Sequence, residues 1–299
     1  MKTDIPQRQN QADILRLHAA KHRLYNQSGI FWHLSILFAV FSATLLFVVH
    51  HIELDFPVED IFTIITALAT TFFTWLIVKW SARKKREGAI VQERIDTILY
   101  GLDWNRSLSK PEEVSEEIIE SSSNKSKKRP EEFKNWYSVH VAAEDSLEVQ
   151  ALKAQRENLS FDFLLRERFK AWCLGLFLAL LFGVVLPPLF VDLSIQKTFV
   201  NWLFPVLPLL LFLWKNYDTN RKTVEKDKIL EQSVRTTLRR VASGSDTITK
   251  QELRDIQDKI FEKRVAPAVI PDWFYKLHLK DLDHLIIKAT DNLNRQNAQ

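Results

Sequence analysis

The sequence predicts an all-α membrane protein: four transmembrane helices in two hairpins, with helical cytoplasmic N-terminal, central and C-terminal parts. Three observations carry this. A mean hydropathy of -0.14 hides two apolar blocks set among densely charged stretches. Four runs within those blocks reach or approach the roughly 20 apolar residues that cross a bilayer core of about 30 Å. Lys and Arg gather on one side of all four runs. Core helices of soluble proteins are seldom so apolar on every face. The boundaries that follow are a cytoplasmic amphipathic helix over 1–29, a first transmembrane hairpin over 30–80 and a central cytoplasmic region over 81–170. A second hairpin over 171–214 and a C-terminal cytoplasmic region over 215–299 complete the chain.

Residues 7–28 read as a helix whose Ile14, Leu17 and Leu24 share a face, suited to a membrane surface or to a ligand site. It runs into the first span, "IFWHLSILFAVFSATLLFVV" (30–49). The link to the second span, "IFTIITALATTFFTWLIVKW" (61–80), carries Glu53, Asp55, Glu59 and Asp60 but no Lys or Arg. Arg83, Lys84, Lys85 and Arg86 follow the second span, Arg166, Arg168 and Lys170 precede the third, and Lys215, Arg221 and Lys222 follow the fourth. This bias predicts that both termini and the central loop are cytoplasmic. Trp32, Trp75, Trp80, Trp172, Trp202 and Trp214 sit near span ends, where aromatic belts form.

Beyond the second span the helix should continue through Ile90, Ile95, Ile98 and Leu99 to a stop at Gly101. A turn-rich loop and an acidic helix from Pro111 come next, then a low-complexity stretch, 121–130, predicted to be mobile. Helix returns before the third span, "AWCLGLFLALLFGVVLPPLFV" (171–191), which Pro187 and Pro188 should end or bend. The fourth, 198–214, is short and carries Pro205 and Pro208. After a break at "SGS", Thr249 and Glu252 form a capping box that opens another helix. "APAVIPDWFY" reads as an extended link before a last helix over 277–293.

Chemistry is sparse. A formal charge of +4 is modest for a nucleic-acid binder, so no DNA or RNA polymer is expected as a partner. Cys173 is the single cysteine, which excludes an intrachain disulfide and a cysteine-based metal site. There is no G-x-S-x-G, P-loop or G-x-G-x-x-G, and the chain has only 6 glycines. His18 and His22 stand at i and i+4 as in zinc proteases, but without the Glu or a third ligand. The carboxylates of 112–120 read as a solvated face. No catalytic residue, metal or cofactor is expected, and the chain reads as no enzyme.

Binding remains. "PQRQN", "GLDWN", "NWY", "AQREN" and "PDWFY" mix Arg or amide groups with aromatics. Arg forks pair with phosphates and aromatic faces stack on bases. Arg8, Asn10, Trp104, Asn105, Arg156 and Trp273 are the candidate ligand-binding residues, against a competing reading as core anchors and helix joints. Thr63, Thr66, Thr70 and Thr74 line one face of the second span. They would line a pore in an oligomer, pack against Ser35, Ser42 and Thr44 of the first span, or bond their own helix backbone.

In order along the chain, "IPQRQN", "HAAKHRLYNQS", two spans, "LYGLDWN", "NWYSV", "AQRENLSFDFLLRERF", two more spans and "IPDWFY" together resemble the SMODS-associating four-transmembrane effector family. The resemblance covers almost the whole chain. SMODS proteins are bacterial synthases of cyclic oligonucleotide messengers. The resemblance implies a homo-oligomeric effector of anti-phage defence in the bacterial inner membrane. A cyclic oligonucleotide from a partner synthase would activate it, and it would breach the lipid bilayer so that the cell dies before phage release. A membrane-anchored scaffold that recruits a partner, with no pore, is the rival reading.

Overall fold

A computed structural model of the chain describes residues 4–51, 59–137, 145–190, 203–243, 247–266, 269–271, 273–278 and 281–282. In chain order its helices are α1 Ile5–Arg8, α2 Ala12–His51, α3 Glu59–Tyr100, α4 Glu116–Asn124, α5 Leu147–Phe190, α6 Phe204–Ala242 and α7 Lys250–Val265. Short 3-10 turns occupy Pro111–Glu113 and Pro130–Phe133, and no strand occurs among the described residues. At 1.5 Å per residue, the 40-residue α2 is about 60 Å long and the 44-residue α5 about 66 Å. That is twice a bilayer core, and each rod has an apolar half and a polar half. α2 packs chiefly on α3, and α5 on α6, while α7 lies against α3 and α5.

Among the described residues, two helices are long and apolar enough to cross a membrane, within Ala12–Leu45 and Leu147–Pro187. Their apolar halves turn outward: Leu37 and Phe41 are 64% and 62% exposed, and Phe182 is also exposed. Surfaces of this kind need lipid or a partner to cover them. The polar half is built the other way. Ile14, Ile95, Leu99, Leu152 and Leu253 are fully buried in one cluster drawn from α2, α3, α5 and α7. A second cluster, Trp32, Leu165, Phe169, Cys173, Phe274 and Leu282, closes the boundary between the two halves. Gly88 lets α3 approach α2 there, since a Cβ would stand 3.3 Å from the Tyr25 ring.

Local chemistry sets the element ends. Asp4 caps α1 by accepting from the Gln7 N–H at 3.1 Å. Gly101 adopts φ +64° and ends α3, and the Leu102 N–H closes back on Thr97 O at 3.0 Å. The Thr249 box forms, with Thr249 Oγ1 accepting from Glu252 N and Glu252 accepting from Thr249 N at 2.9 Å.

Several expectations are corrected. The helix predicted over 7–28 begins at Ala12, after the separate turn α1. Its Ile14, Leu17 and Leu24 enter the protein core instead of lying on a membrane surface. The acidic helix expected from Pro111 starts later, where Ser115 caps α4 and Pro111 opens only a 3-10 turn. Residues 121–124 of the stretch expected to be mobile complete α4, and Ser122 and Ser123 are buried beneath it. α5 continues through Pro187 and Pro188 to Phe190, and Pro208 sits inside α6. Most of the last predicted helix, and Trp202, lie outside the described residues.

Candidate functional site

The most chemically loaded region is a buried polar seam where α7 meets α3 in the polar half. Asp96 is fully buried on the core face of α3. Its carboxylate accepts from Tyr137 Oη at 2.8 Å, Gln257 Nε2 at 3.0 Å and Arg264 Nη1 at 2.6 Å. Glu93, one turn earlier, accepts from Arg254 Nη2 at 2.5 Å and Gln257 Nε2 at 2.8 Å. Arg254 also donates to Asp258 and to Asp103 O, while Gln155 of α5 donates to Gln257 Oε1 and Leu253 O. Burial pushes the Glu93 carboxyl up, with Asp96 adding to the effect and Arg254 opposing it. The seam pins α7 across α3 and α5, so a shift of α7 must break several charge-assisted bonds together.

A second seam lies nearer the apolar halves. Asp162 accepts from Arg166 Nε at 2.7 Å and Lys263 Nζ at 2.9 Å, and Lys263 also meets Asp227 at 3.1 Å. Arg166 reaches Asn220 Oδ1 at 3.1 Å, which joins α5 to α6. Lys85 donates to Ala266 O just past the end of α7. Burial opposes ionisation of Asp162, but Arg166 and Lys263 hold its carboxyl below the usual carboxylate range. Asp227 is pushed up to about 6 by burial, with Lys263 only partly offsetting it. Its folded state therefore holds a proton that the unfolded chain has released, and this contribution to stability is lost as pH rises from about 4 to about 6.

His18 and Lys21 form a third buried group. Lys21 Nζ donates to His18 Nδ1 at 2.9 Å and stands 3.9 Å above the Trp136 ring. Burial lowers His18 to about 2 and Lys21 to about 7. His22 pairs instead with Ser126 and Asn26. Among the described residues no group of three or more His, Cys, Asp or Glu is placed to hold a metal ion.

The candidate ligand residues scatter. Arg8 donates to Leu99 O at 3.4 Å, at the end of α3. Asn10 is paired twice with Asn135, which has a positive φ of 54°. Trp104 donates to Ser109 O at 2.8 Å, and Asn105 donates to Asp258 and accepts from Ser107. These four side chains work as joints between elements. Trp273 is elsewhere, packed on Trp172 with ring centroids 5.3 Å apart. It helps line an apolar cavity of about 230 Å³ with Trp32, Phe169, Cys173 and Phe212. Arg156 differs from the joints: its Nε is buried with no hydrogen-bond partner. Its pKa is lowered by burial and then by Arg235, while Glu231 opposes this and Arg239 adds to it.

Of the threonines, Thr70 is buried, with Oγ1 2.8 Å from Ser42 Oγ and donating to Thr66 O at 2.6 Å. Thr66 and Thr74 are half-buried, and the side chain of Thr63 lies outside the described residues. Sequence reading missed Glu93, Asp96, Asp162 and Asp227. A usable signal existed for Asp96: a carboxylate between Ile95 and Leu99 on the apolar face of a helix.

The family model of the SMODS-associating 4TM effector domain matches residues 3–293. The chain belongs to this family. It is also similar to a curated protein of Bacillus cereus (strain VD146) named "probable CBASS effector molecule", at 26% identity over 301 residues, covering 97% of this chain and 98% of the relative. No solved structure matches. Membership agrees with the expectation drawn from the motif order, and the four-transmembrane description of the family suits the outward-turned apolar halves of the long helices.

Proposed function

We propose that this protein is a membrane effector of bacterial anti-phage defence, activated by a cyclic oligonucleotide bound on its cytoplasmic side. One observation carries the reading: the long helices run unbroken from lipid-suited apolar halves into a cytoplasmic core that charged seams lock together. A ligand that pulls on the core must move the spans. The family's description as SMODS-associating and the name of the Bacillus relative support a CBASS setting, in which the messenger would come from a partner synthase.

In this reading the chain has four spans in the inner membrane, with both termini cytoplasmic, and needs no cofactor. Arg156, facing Arg235 and Arg239 across α5 and α6, takes the messenger's phosphates. Moving the population from 1:99 to 99:1 open needs about 5.5 kcal/mol of differential binding, which several Arg–phosphate contacts in each subunit of a homo-oligomer would supply. Thr70 parts from Ser42 of the first span, Thr63, Thr66, Thr70 and Thr74 line the opening, and the cell dies before the phage is released.

The test is dye release from liposomes carrying the purified protein, challenged with a panel of cyclic di- and trinucleotides. One nucleotide should release dye, and T66L/T70L should insert normally but retain it. Binding without release would refute the pore and favour the scaffold.

A further inference from the structure

We infer that a second cavity, an open one between α2, α3 and α4, is a phosphate-binding site. It measures about 260 Å³ and is lined by Arg23, Lys84 and Lys125, with the hydroxyls of Ser121 and Ser122 and a single acid, Glu117. Its cations come from three separate elements, far apart in the sequence.

Arg23 makes the strongest case. Its Nε is buried and has no hydrogen-bond partner. A guanidinium cannot shed its proton to escape that position, so the half-buried Arg23 keeps its full charge beside the cavity with an N–H that no protein group satisfies. Lys84 is shared with Glu87 at 2.6 Å, whereas Lys125 projects exposed from the turn after α4. Exposed Lys127, Lys128 and Arg129 follow it and make the approach positive. Cations on three elements, flanked by two hydroxyls, match the several acceptor oxygens of a phosphate ester.

The cavity's depth narrows the source. Arg23 lies seven residues before the first span and Lys84 four after the second, or about 10 Å and 6 Å along their helices. This rests on the four-span reading, which puts both at the level of the lipid headgroups. The phosphate is then that of an anionic headgroup in the cytoplasmic leaflet or that of the cyclic oligonucleotide, and the chemistry of the site serves either. Occupancy would tie α4 to α2 and α3 beside the membrane.

The experiment uses the full-length protein in detergent micelles. Its melting temperature is followed while phosphatidylglycerol, phosphatidylcholine or each of a panel of cyclic di- and trinucleotides is titrated. R23Q/K125Q is compared with wild type and with R156Q. The expected result is a rise in melting temperature with phosphatidylglycerol or with one nucleotide, absent with phosphatidylcholine, whose half-maximal concentration increases at least ten-fold in R23Q/K125Q. Loss of the phosphatidylglycerol response alone assigns the site to a headgroup, and the inference stands even if no nucleotide shifts the wild type and the messenger reading fails. Loss of the nucleotide response, kept in R156Q, assigns it to the messenger. Unchanged responses in R23Q/K125Q overturn the inference. If that variant lacks wild-type helical circular dichroism, K125Q alone gives the measurement, since Lys125 is exposed.

Discussion

Replacing Asp96 with Ala should be among the most damaging single changes in the polar half. Asp96 is fully buried and accepts from Tyr137, Gln257 and Arg264. Truncation leaves the Arg264 guanidinium in the core, with the remaining acid, Glu93, 4.0 Å away, and leaves the Tyr137 hydroxyl without its acceptor. Breaking one side of a buried charge pair costs about 3–5 kcal/mol. For a chain of this size class each kcal/mol moves the melting temperature by about 2–4 °C, so the loss should be on the order of 10 °C. Circular dichroism at the helical band, in detergent at pH 7, reads it. D96L/R264M removes both charges and should recover at least half of the loss, because an apolar pair of similar volume often replaces a buried ion pair without penalty. A D96A protein melting within about 2 °C of wild type would refute the reasoning, as would a double variant no more stable than the single.

D227N removes a carboxyl whose raised pKa makes stability fall between about pH 4 and 6. Relative to wild type, its melting temperature should therefore climb more steeply across that window, and parallel pH profiles would sink the assignment. S42V/T70V deletes the hydroxyl pair between α2 and α3; a double-mutant cycle on thermal stability should return a coupling of about 0.6 kcal/mol, and a value near zero would mean that the contact does not hold the spans together.

The buried seams were hard to read because their members lie far apart in the chain. Asp96 and Arg264 are 168 positions apart, as are no two residues of any motif quoted from the sequence. The motifs that were legible, "IPQRQN" and "GLDWN", marked places where the chain turns sharply. Asn105 holds its own loop through Ser107 and reaches Asp258 of α7, and Asn10 holds the positive-φ turn at Asn135. Arg and Asn beside Trp therefore signalled joints at these positions, where backbone groups at helix ends need side-chain partners. The Arg156 side chain, drawn from the same kind of motif, kept its Nε unpaired.

By itself the sequence determined the helical class, the apolar runs and their charge bias, the Gly101 stop, the Thr249 cap and the order of motifs that marks the family. Each is local, set by composition or by contacts within a few residues. The tertiary structure alone decided that Ile14 and Leu24 enter a core, that Thr70 meets Ser42, and that Asp96 meets Arg264 while Arg23, Lys84 and Lys125 ring one cavity. The physical reason is that helical periodicity fixes which residues share a face, but only packing fixes which face of another helix it meets.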